Sequence, residues 1–341
     1  MEYRKLGTSG IRVSPICLGT MMFGDRTERA VAQRIVASAR DAGVNFIDTA
    51  DSYAAGASEV MTSSLIASDR DWWILATKAG NPMGPGPNDW GQSRRWLMRG
   101  LDLSLQRLKV DWVDIFYLHW DDQLTPLEEL VTAMGDIVRS GKARYWGISN
   151  YRAWKITAMV YIARALNVPP PVVCQPYYNA MNRMAEAELL PSCQHHGLAV
   201  VPYSPLARGV LTGKYAPGGL PSQDTRAGRG DKRMLETEFR KESLVAAQHF
   251  RERAQARGMS AAQFAMNWVL NNALVTSVIA GPRTLEQWED YLGAIQYGFS
   301  AEDEAFVDAL VPPGHPSTPG YNDPKVPMKG RLPRNLDLSV T

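Results

Sequence analysis

Short apolar runs recur along this chain, and the stretches between them repeat their apolar positions every three or four residues. Residues 16–20, 46–48, 73–78, 113–119, 143–149, 172–175, 198–203 and 277–280 are evenly hydrophobic and end in polar or turn residues. Such runs predict strands covered on both faces. The intervening patterns are helical. Val31, Ile35 and Ala39 share one face of a helix that Thr27 caps and Gly43 closes. Residues 58–67 predict a second helix, and Leu97, Leu101, Leu105 and Leu108 form the buried stripe of a third. Pro126 suits the first turn of a helix over 126–139, and helices over 153–166 and 185–196 follow. Two helices, 240–257 and 261–270, precede the last strand, and 284–295 and 302–310 come after it. Ahead of all this, residues 3–6 and 11–13 flank the turn Gly7, Thr8, Ser9, Gly10 and predict a β-hairpin.

Eight strand–helix units predict an α/β fold of the (β/α)8 TIM-barrel type, with an N-terminal β-hairpin, two extra helices and an extended C-terminal tail. A doubly wound sheet would want G-x-G-x-x-G after its first strand. Residues 18–24 read Leu-Gly-Thr-Met-Met-Phe-Gly instead. No internal repeat or linker divides residues 1–311, which are expected to form a single domain. Beyond them, Pro312, Pro313, Pro316, Pro319, Pro324, Pro327 and Pro333 exclude regular structure. Two readings stand for residues 312–341: a disordered tail, or a strap over the barrel mouth pinned by Tyr321, Val326 and Met328. Loops 81–91 and 209–230 are Gly-rich, and 209–230 is long enough to imply a role beyond connection.

Composition narrows the field. At 45% hydrophobic and 21% charged, the chain of 341 residues can bury a sizeable core. A net charge of +2 gives no nucleic-acid footprint. No apolar run reaches the ~18 residues of a membrane span; the nearest candidate, 159–168, is broken by Arg164. The first ten residues lack an apolar signal region, and Cys17, Cys174 and Cys193 form no CxxC, so a reducing cytoplasmic setting is expected. Cys193, His195 and His196 crowd one predicted helix without a distant ligand pair, so no metal site is expected.

In a barrel the chemistry gathers at the C-terminal strand ends. In order these are Thr20, Asp48 with Tyr53 five residues on, Lys78, His119, Ser149–Asn150, Gln175, Tyr203 and Gly281. Singly, a lysine there reads as a solvated charge and a histidine as a satisfied polar group. Their arrival on adjacent strands points to chemistry. Lys78 can pair with Asp48, and an ammonium beside Tyr53 is expected to pull the phenol's pKa below ~10. Tyr53 then serves as a general acid, and His119 orients a carbonyl or relays the proton. No nucleophile and no second free carboxylate accompany them. The set performs half of a carbonyl reduction; the other half needs a hydride donor, hence a nicotinamide. A barrel glycosidase would set two carboxylic acids across the mouth, where this chain offers His119 and Tyr203. The run Gly209 to Lys214 is a residue short of a P-loop.

Several segments carry a resemblance. Residues 46–53 read FIDTADSY, 76–78 ATK, 118–120 LHW and 147–150 GISN. Residues 175–179 read QPYYN, 203–209 YSPLARG, 211–214 LTGK and 279–287 IAGPRTLEQ. In this order they resemble the aldo-keto reductase family over about residues 1–311. The likeness is strongest to the branch of bacterial general reductases and β subunits of voltage-gated potassium channels. The resemblance implies that Tyr53 is the proton donor, Lys78 and Asp48 its tuning pair, and His119 the carbonyl-orienting residue. It places Ser149, Asn150 and Gln175 on the nicotinamide carboxamide and the ring of Tyr203 on the nicotinamide face. Gly19, Thr20, Met21 and Asp48 join that wall. Ser204, Leu206, Arg208 and Lys214 line the pyrophosphate; Gly281, Arg283, Gln287 and Asp290 meet the adenosine end. Arg283 pairs with a 2′-phosphate, which favours NADP(H).

Met22, Phe23 and Trp120, with Tyr53 and His119, are candidate walls of a substrate pocket. Two positions depart from the family pattern: Tyr291 in place of Asn, and Ser63–Ser64 in place of a glycine. The expected activity is NADP(H)-dependent interconversion of an aldehyde or ketone and its alcohol. The alternative is a cofactor-sensing regulatory subunit with slow turnover. The expected partner is a small carbonyl or alcohol substrate, with monomer and homo-oligomer both open. Loops 25–26, 81–91, 121–125 and 215–233, with the tail, would set specificity.

Overall fold

The structure, a computed structural model, describes residues 1–326; residues 327–341, with the expected anchor Met328 and with Pro327 and Pro333, lie outside the described residues. A hairpin of β1 (Arg4–Lys5) and β2 (Arg12–Val13) comes first. Eight parallel strands follow: β3 (Ile16–Gly19), β4 (Phe46–Asp48), β5 (Ile74–Ala79), β6 (Val113–Leu118), β7 (Ala143–Ser149), β8 (Val173–Gln175), β9 (Ala199–Val200) and β10 (Val278–Ala280). They pair in sequence order, with β10 beside β3. The amides of Thr276 and Ile279 reach the carbonyls of Val200 and Pro202 at 2.8 and 2.9 Å, which closes the ring. The fold is the (β/α)8 barrel that the periodicity predicts.

Side chains alternate across each strand, and both sides are apolar. Cys17, Phe46, Ala76, Ile115, Tyr117, Val173, Val201 and Ile279 fill the interior. Leu18, Ile47, Leu75, Phe116, Ile148 and Val200 face the helices. Two glycines serve this packing. A Cβ on Gly147 would stand 2.6 Å from the ring of Tyr117 inside the barrel. Gly7, at φ +56°, turns the hairpin so tightly against the barrel floor that a Cβ would meet the Val172 carbonyl at 2.4 Å.

The outer helices are α1 (Arg29–Asp41), α2 (Ala57–Ile66), α3 (Arg94–Leu108), α4 (Leu127–Arg139), α5 (Ala153–Ala165), α6 (Leu189–His196), α7 (Lys232–Thr237), α8 (Lys241–Ala256), α9 (Ala261–Asn271), α10 (Leu285–Gly293) and α11 (Ala301–Leu310). The leucine stripe of α3 is buried as expected, and Ser93 caps that helix by accepting from the Trp96 amide. Elsewhere the sequence reading is corrected. Glu28, not Thr27, occupies the N-cap of α1, and the Thr27 hydroxyl instead donates to the Arg283 carbonyl at 3.1 Å. The expected helix 185–196 is a 3₁₀ turn, Met184–Glu186, followed by α6, whose Pro191 falls in the first turn where its missing N–H costs nothing. The expected strand 198–203 shrinks to β9: Val201 and Tyr203 still donate to the carbonyls of Cys174 and Pro176, but Pro176 has no N–H to return, and Tyr203 keeps one bridge to Tyr177. Helix α7, capped by Asp231, was not expected.

Residues 312–326 cross the C-terminal side of the barrel in an irregular path of turns with one bridge, Pro316 to Asn182. The Arg183 amide donates to His315 O at 3.0 Å and the Ser317 amide to Met181 O at 2.9 Å. Arg233 grips Asp323 with two nitrogens, Arg240 lies 3.6 Å over the ring of Tyr321, and Arg152 donates to Val326 O at 2.8 Å. Among the described residues, no helix is long and apolar enough to cross a membrane.

Candidate active site

The chain leaving β4 continues alongside β5 after the formal strand ends. The Thr49 amide donates to Ala76 O at 2.9 Å and the Asp51 amide to Lys78 O at 3.1 Å. Then Ala54, Ala55 and Gly56 take left-handed dihedrals, with φ of 48°, 51° and 95°. Non-glycine residues rarely go there. The reversal folds Tyr53 back over β5, so that its hydroxyl lies 3.2 Å from Lys78 Nζ.

Lys78 Nζ also donates to Asp48 Oδ1 at 2.5 Å and to Thr49 O at 2.8 Å. Three N–H groups meet three acceptors, which fully satisfies the ammonium. The second oxygen of Asp48 accepts from Gln175 Nε2 at 2.9 Å. Lys78, Asp48, Thr49 and Gln175 are buried, and Tyr53 is half-buried. Burial alone would lower the Lys78 pKa, but Asp48 and Tyr53 hold it above the usual lysine value, so the group stays charged.

Tyr53 departs from expectation. Its pKa lies above the ordinary 10, not below: burial outweighs the attraction of Lys78, and the charge of Asp48 cancels part of that attraction. The phenol therefore holds its proton firmly in the protein alone. His119 is 8% exposed, with its ring centroid 6.0 Å from that of Tyr53. Burial, with the positive charges of Lys78 and Lys325, drives it well below the normal imidazole range. Its Nδ1 lies 2.9 Å from Asn81 Nδ2, and its carbonyl accepts from Asn150 Nδ2 at 2.9 Å. Asp48, Tyr53, Lys78 and His119 thus share one neutral-overall cluster of one cation, one carboxylate, one phenol and one uncharged imidazole.

One buried acid lies beside the cluster and is not part of it. Among the described residues neither carboxylate oxygen of Asp51 has a hydrogen-bond partner, and burial plus the nearby Glu59 push it up to about 7. Glu59 itself is spoken for by Thr77 and by Arg107, both at 2.6 Å.

The residues assigned by resemblance to a dinucleotide follow around the rim. Thr20 is buried and hydrogen-bonds Asp48 O and Ser58, and Gly19 sits against Ile279 and Ala280. Met21 is exposed. Ser149 Oγ donates to Gln175 O at 2.8 Å. Asn150, at φ +62°, accepts from the Tyr203 hydroxyl at 2.7 Å, which fixes that ring 5.6 Å from Tyr177. Ser204, Ala207 and Arg208 are left-handed, with φ of 56°, 46° and 52°, a run that concentrates backbone strain beside Tyr203. Leu206 is buried against the core.

At the far end Arg283 Nη1 reaches Asp224 O at 3.4 Å, and Gln287 Oε1 accepts from the Arg283 amide at 2.8 Å. Asp290 accepts from Ser260 Oγ at 3.0 Å, and Gly281 is exposed. Tyr291 is buried, its phenol pushed up to about 12 by burial and Asp290.

Between these two ends the cations converge. Desolvation, with Arg283 and Arg226 close by, lowers the Lys214 pKa; desolvation and Arg208 lower that of Arg226. Like charges held together out of water point to an anionic ligand that offsets them. Arg226, from the Gly-rich loop, escaped the sequence reading. Its only signal there was a basic residue in a long loop beside Lys214.

On the substrate side Trp120 stacks near His119, with centroids 6.3 Å apart, and Lys325 from the C-terminal segment lies 5.3 Å from the Trp120 ring. Met22 Sδ stands 3.9 Å from Arg226 Nη2, toward the cation cluster. Phe23 is a correction: it is fully buried in the hydrophobic core and bridges to Thr27, so it lines no pocket. Sequence reasoning also missed Asn81, three residues past Lys78, and Glu238. The latter is fully buried, accepts from Tyr177 Oη and stands 3.9 Å from Arg208 Nε. Among the described residues no group of three or more His, Cys, Asp and Glu converges as a metal site would.

The model of the Aldo/keto reductase family matches residues 15–312. A probable voltage-gated potassium channel subunit beta from Oryza sativa is 39% identical over 82% of this chain and 87% of its own length. L-glyceraldehyde 3-phosphate reductase of Escherichia coli is 38% identical over 92% of this chain and 93% of its own. An uncharacterized oxidoreductase of Bacillus subtilis is 34% identical over 94% and 99% respectively.

Proposed function

Since this chain belongs to the aldo/keto reductase family and is on that ground an oxidoreductase, we propose that it interconverts an aldehyde or ketone and its alcohol with NADP(H). The carrying observation is the Lys78 ammonium, 3.2 Å from the Tyr53 hydroxyl and fully compensated by Asp48, beside a neutral histidine. When bound, the nicotinamide supplies or takes the hydride. The protein supplies the rest. Tyr53, kept protonated, gives its proton to the substrate oxygen, and the adjacent ammonium stabilises the phenolate left behind. His119 orients that oxygen.

The residues present fit a phosphorylated dinucleotide. Arg208, Lys214, Arg226 and Arg283 gather more positive charge than nearby carboxylates balance, and among the described residues Arg208 Nε has no hydrogen-bond partner. Ser149, Asn150 and Gln175 would hold the carboxamide, with Tyr203 against the ring. Gly19, Thr20 and Met21 would flank it, and Ser204 and Leu206 would line the pyrophosphate. Gly281, Gln287 and Asp290 would meet the adenosine. Arg283 would pair with a 2′-phosphate, a strong and geometric contact. Residues 1–311 would act as one catalytic barrel, with the C-terminal extension at its mouth. Met22 and Trp120 would border the substrate.

Loss of NADPH absorbance with a panel of aldehydes and ketones tests the proposal directly. Absence of turnover across the panel, with tight NADPH binding and slow cofactor release, would instead favour a cofactor-sensing subunit. The rice relative's description as a channel β subunit gives that second reading its footing.

A further inference from the structure

Asn81 follows β5 and Gly80, in the loop that the sequence reading treated only as a specificity segment. Its side-chain nitrogen stands 2.9 Å from His119 Nδ1 and donates to Ser52 Oγ at 3.2 Å. An amide nitrogen has two hydrogens and no acceptor capacity. Imidazole Nδ1 can receive one of those hydrogens only when it carries no proton of its own.

The surroundings leave the ring no proton to spare. Its ring neighbours are Tyr53 and Trp120, and the charges acting on it are the ammonium groups of Lys78 and Lys325. Burial and these two ammonium groups disfavour an imidazolium. A neutral imidazole whose Nδ1 accepts must carry its hydrogen on Nε2. Among the described residues, Nε2 has no hydrogen-bond partner of its own.

We propose that Asn81 is a positioning residue that locks His119 as the Nε2–H tautomer, so that the ring offers the substrate carbonyl a donor instead of a lone pair. The inference rests on the carbonyl-reductase reading of the site. A carbonyl oxygen has two lone pairs, and the site then presents two donors, the Tyr53 hydroxyl and His119 Nε2–H. In the other tautomer Nε2 repels the oxygen it should orient. A purely structural role remains the competing account, in which Asn81 only ties the loop to Ser52.

The test combines imidazole nitrogen NMR on the full-length protein with steady-state kinetics. Long-range ¹H–¹⁵N spectra separate the tautomers, and His119→Gln assigns the resonance. The wild type should show Nε2–H. In Asn81→Asp the carboxylate accepts rather than donates, and the ring should become Nδ1-protonated. Both Asn81→Asp and Asn81→Ala should lose kcat by tenfold or more, with the KM for NADPH within twofold. A wild-type ring protonated on Nδ1, or an Asn81→Asp ring still in the Nε2–H form, overturns the proposal. So does an unchanged kcat in both variants of an active enzyme. If no carbonyl turns over but the NMR switch occurs, the tautomer assignment stands and only the reductase reading falls.

Discussion

Lys78 Nζ and the hydroxyl of Tyr53 stand 3.2 Å apart, and the same ammonium is 2.5 Å from Asp48. The tyrosine thus has a cation positioned to receive its negative charge when the proton leaves. Tyr53→Phe keeps the ring and removes the proton. Its kcat should fall by roughly 10²–10⁴-fold, while NADPH affinity, read by fluorescence titration, stays within a few-fold. A variant retaining most of its turnover would move the proton donor elsewhere.

The acidity of that phenol sets a pH profile. Because its pKa lies above 10, the acid form is present at all lower pH and is lost only as pH rises through the raised value. Reduction should therefore run undiminished from pH 6 to 9, on account of this group, and decline only in the alkaline range. Oxidation of the alcohol, which needs the phenolate, should climb across the same interval. Single-turnover rates in both directions check this.

Lys78→Met strands a fully buried carboxylate, Asp48. Breaking such a pair from one side costs on the order of 3–5 kcal/mol, which should appear as a lower urea midpoint. The double variant Lys78→Met with Asp48→Asn should recover most of that loss, since neither charge then remains. Neither variant should recover turnover. A single variant as stable as wild type would mean the pair is better solvated than its burial implies.

Asp51 has a linkage signature of opposite sign to the usual carboxylate. Its folded pKa is raised from 3.8 to about 7, so the folded state binds a proton that the unfolded chain has released. Stability is therefore greatest below the unfolded value and falls as pH climbs from about 4 to 7. Asp51→Asn should be more stable than wild type at pH 8, and less sensitive to pH over that window. Equal stability curves for the two proteins would count against an unpaired acid at this position.

Arg283→Ala should raise the Kd for NADPH by roughly tenfold, the scale of one charge-assisted hydrogen bond, and leave NADH binding nearly unchanged. Arg226→Ala should weaken both dinucleotides, because it lies beside Arg208 and Lys214, the two cations proposed to line the pyrophosphate. Titration of each variant with both cofactors reads the difference. Parallel losses for NADPH and NADH in Arg283→Ala would remove the basis for NADP(H) preference.

The barrel was legible because both faces of each strand are apolar and the strand ends break that rule at Asp48, Lys78 and His119. Local chemistry was less so. The role of Pro176 in shortening β9 depends on which amide the ladder needs, and only pairing partners reveal that. The buried state of Phe23 turns on the direction of one loop residue, beyond the reach of periodicity. The acidity of Tyr53 departs from the motif for a physical reason: the motif places a lysine next to the phenol, but the depth of the pair and the opposing charge of Asp48 follow only from the fold. Asn81 and Arg226 were hidden for a different reason. Each lies in an irregular loop, and its partners, His119 and Lys214, are brought to it by the fold.

The left-handed run after Tyr53 narrows the routes by which this protein can diversify. Ala54 and Ala55, at φ of 48° and 51°, leave little tolerance for β-branched or bulky replacements. Variation in what the mouth accepts is thereby displaced onto the surrounding loops and the chain crossing them. A randomised library spanning both regions should return glycine, alanine and asparagine at the turn, and its chemical variety everywhere else.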